Sequence, residues 1–425
     1  MTGKAAQIGL LWDESHFWGV MLERALFALG FAPRILHTGE IARNTLQEEP
    51  PEVLIVPGGW ASRKAKALGP RGRKAITEYV RSGGVYFGLC GGAGLALDSG
   101  PDSSSLALCP WVRKPMQARL PNCSGHLSLR LHAESALSPR QTHSISAPVW
   151  WPSQFEPDGS SRHTVLASYE APQSDFWVAD LPVEHLSPEL LPQWEELYGI
   201  NLDPELLRGE PAVITSSLGR GEYLLSYVHL ESPGSPEANA WLSRLLSAYA
   251  KGACRVGTED GAVEWDLCKT PAVWEDPALE RAVKALWKVV SRGEENFLFC
   301  RRKPWLLGWR RGIPGFALNT LLAMLSEARE LGPTGAAVRY WKGERQAFAE
   351  GVQRFARLFD EYMLRERLVL SRSVSSPEKS GSPELQKLKE RITGPFPGQG
   401  GIFRELVHSL EELLRLQLCG AKRSV

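Results

Sequence analysis

The sequence predicts an α/β fold: a mainly parallel sheet with a β-rich insert, followed by a mainly α-helical C-terminal domain. Three observations predict it. Over the first part of the chain, short apolar runs alternate with helical patterns, the signature of βαβ units. From about 120 to 230 the pattern turns to shorter, alternating β segments. After about Ala253 the strand signal fades and helical periodicity dominates. A chain of 425 residues is too long for one ordinary domain at roughly 100–200 residues each. The break near 252–262 divides it into an α/β domain, 1–252, and a helical domain, 262–425.

Ile8–Trp12 is the first apolar run and predicts a strand. Gly19–Gly30 carries Val20, Met21, Leu22, Ala25, Leu26 and Leu29 at helical spacing and closes on glycine. Phe31–Leu36 and Val53–Val56 predict the next two strands, the latter stopped by Pro57-Gly58-Gly59. A helix is expected from about Gly72 to Arg81, ending at Ser82-Gly83-Gly84. Val85–Leu89 then reads as a buried strand running into Cys90. His126–His132, Thr164–Tyr169, Phe176–Ala179, Ala212–Ser216 and Tyr223–Val228 are the later strands, and Glu237–Tyr249 a closing helix.

In the C-terminal part, Asp276-Pro277 supplies an N-cap and a first-turn proline ahead of the stripe Leu279, Val283, Leu286 and Val290. Phe348, Val352, Phe355, Phe359 and Tyr362 form another stripe, and Phe403, Leu406, Leu410 and Leu413 a last one. Ser371–Ser382 reads as a Ser-rich linker between them.

Composition excludes several classes. Lys plus Arg number 49 against 48 Asp plus Glu, a formal charge of +1, so a general basic footprint for nucleic acid or anionic lipid is absent. Cys300-Arg-Arg-Lys-Pro-Trp305 and Trp309-Arg-Arg311 interleave cations with rings, yet such a short stretch reads as a solvated face, and no nucleic-acid partner is expected. No apolar run reaches membrane-spanning length, so no membrane partner is expected. The start of the chain leads into the first strand without the long apolar core of a signal peptide. Seven scattered cysteines, none in Cys-x-x-Cys or beside a His at zinc-ligand spacing, predict neither metal nor disulfide framework. The expected setting is the reducing cytoplasm.

Chemistry concentrates at Gly88-Leu89-Cys90-Gly91-Gly92, where a buried strand turns into a helix. This is a nucleophile elbow with Cys in place of Ser. Small flanking residues are needed there because the nucleophile sits in a strained backbone conformation and its neighbours approach closely. The following helix start favours a thiolate, and the Gly91 N–H is an oxyanion donor candidate. A thiolate nucleophile also needs an imidazole and an orienting group. His229-Leu-Glu231 ends the last apolar strand, and residues two apart in extended chain point the same way. Glu231 can therefore hold one ring nitrogen while the other faces Cys90. Gly58 and Gly59, after the third strand, let the main chain come close to a substrate carbonyl. All three segments fall at carboxyl ends of strands, where open parallel sheets place their sites. Glu14 and His16 lie at the same edge, after the first strand, and Trp150-Trp151 in the insert is expected to pack near it.

The ordered set Val56-Pro57-Gly58-Gly59, Gly88-Leu89-Cys90-Gly91-Gly92-Ala93-Gly94 and His229-Leu-Glu231 resembles the class I glutamine amidotransferase-like superfamily. More narrowly it resembles the N-terminal domain of biotin-protein ligases, over roughly residues 5–250. The resemblance implies a flavodoxin-like sheet, with Cys90 as acylated nucleophile, His229 as general base, Glu231 as its orienter, and Gly59 and Gly91 as oxyanion donors. It implies no cofactor. Working glutaminases of the superfamily carry Gln four positions after the Cys, where this chain has Gly94, and the separation 229 − 90 = 139 residues is long. No biotin-ligase catalytic domain follows. The expected function is a Cys-His-Glu hydrolase or acyl-transfer protein acting on a small amide or related carbonyl substrate. The alternative is a non-catalytic binding module on the same fold. The helical domain is expected to bind a protein partner or to dock on the first.

Overall fold

A computed structural model describes residues 8–100, 104–132, 137–139, 142–159, 163–250, 263–373, 383–395, 398 and 400–420. It divides into two compact units, Met1–Glu264 and Trp265–Ser424. The boundary segment 252–262 and most of the Ser-rich linker, 374–382, lie outside the described residues. Ser371–Ser373, at the start of that linker, continue a helix.

The first unit is built on one sheet of eleven strands. They are β1 (Ile8–Leu11), β2 (Arg34–Leu36), β3 (Val53–Val56), β4 (Val85–Leu89), β5 (Cys123–Leu131), β6 (Ser144–Trp150), β7 (Thr164–Pro172), β8 (Trp177–Val178), β9 (Leu181–Pro182), β10 (Pro211–Leu218) and β11 (Gly221–Ser226). The order is β9-β8-β5-β7-β10-β11-β4-β3-β1-β2, with β6 paired to β5. The run β2-β1-β3-β4-β11 is entirely parallel and has the flavodoxin-like order. Its central strands β1 and β3 are buried throughout, as expected where helices cover both faces of a parallel sheet.

Beyond β11 every pairing is antiparallel. The β-rich insert therefore extends the same sheet instead of forming a separate layer. Local alternation predicts strands, but pairing partners are set by contacts distant in sequence.

Four helices of this unit matter for the site: α1 (His16–Ala28), α2 (Ala61–Arg81), α3 (Gly91–Ala96) and α4 (Pro236–Tyr249). The predicted helix from Gly72 is only the second half of α2. Gly69, at φ 60° and ψ −179°, kinks the element just before Pro70, which breaks the local helical signal. β2 is also shorter than the predicted Phe31–Leu36, because Phe31 belongs to the turn that caps α1 through a bond to Leu26.

The second unit holds α5 (Pro277–Glu295), α6 (Gly315–Glu330), α7 (Gly335–Ser373), α8 (Pro383–Thr393) and α9 (Gly401–Gly420). Asp276 caps α5 through the amides of Ala278 and Leu279, as the sequence predicts. The fading strand signal misses one feature. Phe299–Lys303 and Leu306–Trp309 pair as an antiparallel hairpin, with Trp305 buried in its turn. The basic–aromatic stretch is this hairpin. No helix of the described residues is long and apolar enough to cross a membrane.

Candidate active site

The carboxyl ends of β1, β3, β4 and β11 meet along one edge of the parallel half-sheet. Cys90 stands between β4 and α3 with φ 48° and ψ −102°, a conformation that costs a non-glycine residue about 1–3 kcal/mol. Such strain persists only where surrounding structure imposes it, and the neighbouring glycines show how. A Cβ on Gly91 would lie 1.8 Å from the Gly59 carbonyl oxygen, and one on Gly92 2.0 Å from that of Val56. The Cys90 N–H donates to the Ser226 carbonyl at 2.7 Å, tying the turn to the end of β11. The elbow is thus clamped between β3 and β11.

Gly58 and Gly59 close the other side. A Cβ on Gly58 would fall 2.8 Å from Cγ of Trp18, and one on Gly59, at φ 108°, 2.5 Å from the Glu14 carbonyl oxygen. Gly91 is the first residue of α3, and a helix's first N–H groups have no acceptor within the helix. α3 has only six residues, however. Its dipole is a weaker source of positive charge at Cys90 than the elbow pattern suggests.

His229 and Glu231 are both fully buried. His229 Nδ1 and Glu231 Oε1 are 2.7 Å apart. Their segment is held from three directions. The His229 N–H donates to the Pro148 carbonyl, the Trp150 indole N–H donates to Ser232 Oγ, and Asn239 on α4 donates to the carbonyls of Leu230 and Ser232. Trp18 packs on the imidazole, ring centroids 4.5 Å apart, and Trp151 packs on Trp18 in turn.

The second ring nitrogen, Nε2, is buried without a hydrogen-bond partner. Cys90, partly exposed, lies close enough to it to influence the ring's titration. Burial opposes charging the imidazole, but the Glu231 carboxylate and the Cys90 sulfur outweigh it and raise its pKa from 6.5 to about 10.

A His whose pKa is raised on folding adds stability that is fully present below its unfolded value and lost as pH climbs through the folded one. The Tm of the full chain should therefore fall as pH rises from about 6.5 to about 10. The slope should be shallower in His229→Gln. A thermal-shift series across that window checks it; equal slopes would mean that the imidazole is not charged in the folded chain.

Each predicted site residue can now be placed. The structure brings Cys90, His229 and Glu231 to one rim, with Gly58, Gly59 and Gly91 packed around the elbow. Glu14 and His16 take left-handed backbone conformations, φ 55° and 47°, in the β1–α1 turn, where the Glu14 carbonyl supports Gly59. One residue that no sequence pattern singles out also lies here: Tyr227, buried two residues before His229, with its hydroxyl 3.8 Å from where a Cβ on Gly94 would stand. Only its burial marks it, and burial is not visible in a lone sequence.

Comparison with protein families finds a match over residues 36–98. The similarity is to the family "Biotin-protein ligase, N terminal". The biotin-protein ligase N-terminal similarity takes in the Pro57-Gly58-Gly59 loop and the Cys90 elbow, and stops well before His229. Among proteins of curated function, none matches the chain. Solved structures with a similar fold include a GMP synthase-like protein from Thermoplasma acidophilum, at 11% identity and TM-score 0.37 over 58% of this chain and 96% of that one. A glutamine amidotransferase from Thermotoga maritima aligns at 12% identity and TM-score 0.34, over 58% of this chain and 84% of that one. The β-galactosidase from Bacillus circulans sp. alkalophilus aligns at 13% identity and TM-score 0.35, over 60% of this chain and 32% of that one.

Proposed function

We propose that the first unit is a Cys-dependent amide hydrolase or acyl-transfer protein, with Cys90 as nucleophile, His229 as proton carrier and Glu231 as its orienter. The observation that carries this reading is the buried His229–Glu231 pair at 2.7 Å, whose remaining ring nitrogen is unpartnered while Cys90 lies beside it. A buried imidazole held by a carboxylate and aimed at a strained cysteine is a costly arrangement for packing alone.

His229, whose pKa is raised by Glu231 and Cys90 against burial, can take the proton of the Cys90 thiol as the sulfur attacks. In acyl transfer the sulfur attacks the amide carbonyl carbon, and the developing oxyanion is met by backbone N–H groups of Gly59 and Gly91. The C–N bond then breaks as His229 gives its proton to the leaving nitrogen. A water molecule, deprotonated by the same imidazole, attacks the thioester and releases the carboxylic acid; an amine or thiol in its place gives acyl transfer. All six described cysteines are free, which suits a reducing compartment such as the cytoplasm.

The test is chemical. Iodoacetamide at neutral pH should modify Cys90 ahead of the exposed Cys300 and Cys419, although Cys90 is the less accessible. Cys109, which burial pushes up to about 11, and Cys123, raised further by burial, should lag far behind. Peptide mapping by mass spectrometry reads the order. Modification of Cys90 no faster than of Cys419 would argue for the non-catalytic binding module, in which the elbow is only a fold feature.

A further inference from the structure

His126 stands in β5 with a partner on each ring nitrogen. Nδ1 is 2.8 Å from Asp175 Oδ2 and Nε2 is 2.9 Å from Ser235 Oγ, while the His126 N–H donates to Asp175 Oδ1 at 2.9 Å. Asp175 lies in the turn between β7 and β8, pressed against β5: a Cβ on Gly125, at φ 126°, would fall 2.5 Å from the Asp175 carbonyl oxygen. A carboxylate only accepts, so Nδ1 carries the proton and donates to Asp175. A hydroxyl both donates and accepts, so the Ser235 contact stands whether or not the ring is charged.

Ser235 is the N-cap residue of α4 and is 3% exposed, yet its hydroxyl makes no capping bond. A serine there usually accepts from an amide of the first helical turn; this one is committed to His126 instead. Three routes then run from His126 to the backbone around Glu231. The Ser235 carbonyl accepts from the Asn239 N–H at 2.9 Å, and the Asn239 side chain donates to the carbonyls of Leu230 and Ser232, on either side of Glu231. Trp150 and the imidazole meet edge to face, centroids 6.5 Å apart, and the indole N–H donates to Ser232 Oγ at 2.8 Å. Pro148, opposite His126 in the strand register, accepts the His229 N–H. The carboxylate needs this support. Among the described residues, Glu231 Oε2 is buried without a hydrogen-bond partner, and Oε1 meets only the ring that it orients.

We propose that His126, bridging Asp175 and Ser235, is a positioning residue that fixes the backbone on both sides of Glu231, so that the carboxylate meets His229. The proposal rests on the reading of His229 and Glu231 as a working pair, but not on a reactive Cys90. Serine, imidazole and carboxylate in this order also make up the relay of serine hydrolases. Here Ser235 is buried, and the residue after it, Pro236, has no N–H to offer an oxyanion. The trio therefore acts as a strut between β5, the β7–β8 turn and α4, and its serine does not react.

The test is an NMR titration of the full chain, isotope-labelled at its histidines. The His229 signals are those absent from His229→Gln, and their wild-type midpoint is expected at about 10. His126→Leu removes both contacts and should lower that midpoint by about one unit or more, because a Glu231 out of register supports the charged ring less. Ser235→Ala cuts only the route through α4 and should give a smaller fall in the same direction; it carries the test if His126→Leu does not fold. His132→Leu is the control, since its imidazole meets Ser168 Oγ on β7 instead, and should leave the midpoint in place. An unmoved midpoint in both test variants, an equal fall in His132→Leu, or labelling of Ser235 by a fluorophosphonate would each overturn the proposal. Modification of Cys90 by iodoacetamide should slow about tenfold in His126→Leu, the equivalent of one unit. A midpoint that falls while wild-type Cys90 reacts no faster than Cys419 keeps the strut and sinks the nucleophile. A fast Cys90 with an unmoved midpoint does the reverse.

Discussion

His229→Ala should cut turnover of any amide substrate by about 10²–10⁴-fold, the span that positioned proton transfer supplies. Modification of Cys90 by iodoacetamide near neutral pH should slow in parallel, because the imidazole that takes the thiol's proton is gone. Glu231→Gln separates the two contributions to this effect. It keeps the side-chain shape but removes the charge that, together with Cys90, raises the imidazole pKa against burial. Burial is then opposed by Cys90 without the carboxylate, and the imidazole pKa should fall. The Cys90 rate in Glu231→Gln should consequently fall most where the wild-type ring is charged and that of the variant is neutral. Rate against pH for the wild type and both variants measures this. A His229→Ala chain that reacts at Cys90 as fast as wild type would remove the imidazole from the mechanism.

Gly91→Ala is the second large effect. Its Cβ would stand 1.8 Å from the Gly59 carbonyl oxygen and 2.6 Å from the carbonyl carbon. Both are main-chain atoms, so no rotamer change relieves the contact and one strand end must move. Overpacking of this kind costs about 1–3 kcal/mol even where side chains absorb it. At roughly 2–4 °C per kcal/mol for a unit of this size, the Tm should fall visibly. The displacement also separates the two proposed oxyanion donors, so activity should drop by more than the loss of folded protein explains. Gly343→Ala is the natural control: it sits inside α7 with nothing within 4 Å of the added methyl, and should be neutral or stabilising. An unchanged Tm in Gly91→Ala would mean that the elbow is not clamped against the Gly59 loop.

Much of this architecture is legible from residue order. Ile8–Leu11, Val53–Val56 and Val85–Leu89 announce themselves as short apolar runs, since a parallel strand covered on both faces needs no polar alternation. The elbow and His-x-Glu are legible because chemistry fixes both residue type and spacing. Other features depend on facts no local pattern carries. The kink at Gly69-Pro70 hides the first half of α2. The hairpin Phe299–Trp309 hides behind Arg301, Arg302 and Lys303, none of which is buried, while Leu306 and Leu307 are. Tyr227 looks like any tyrosine until the fold buries it against Gly94, two residues before His229.

The sheet order carries a consequence for the history of the molecule. β4 and β11 lie side by side, yet the whole antiparallel extension is threaded through the chain between them. Closing so long a loop is slow compared with forming local helices and hairpins. While a ribosome is still delivering the later strands, the sulfur has already emerged but its imidazole has not. Reactivity at Cys90 should then arrive late and all at once, as a marker of finished folding of the first unit.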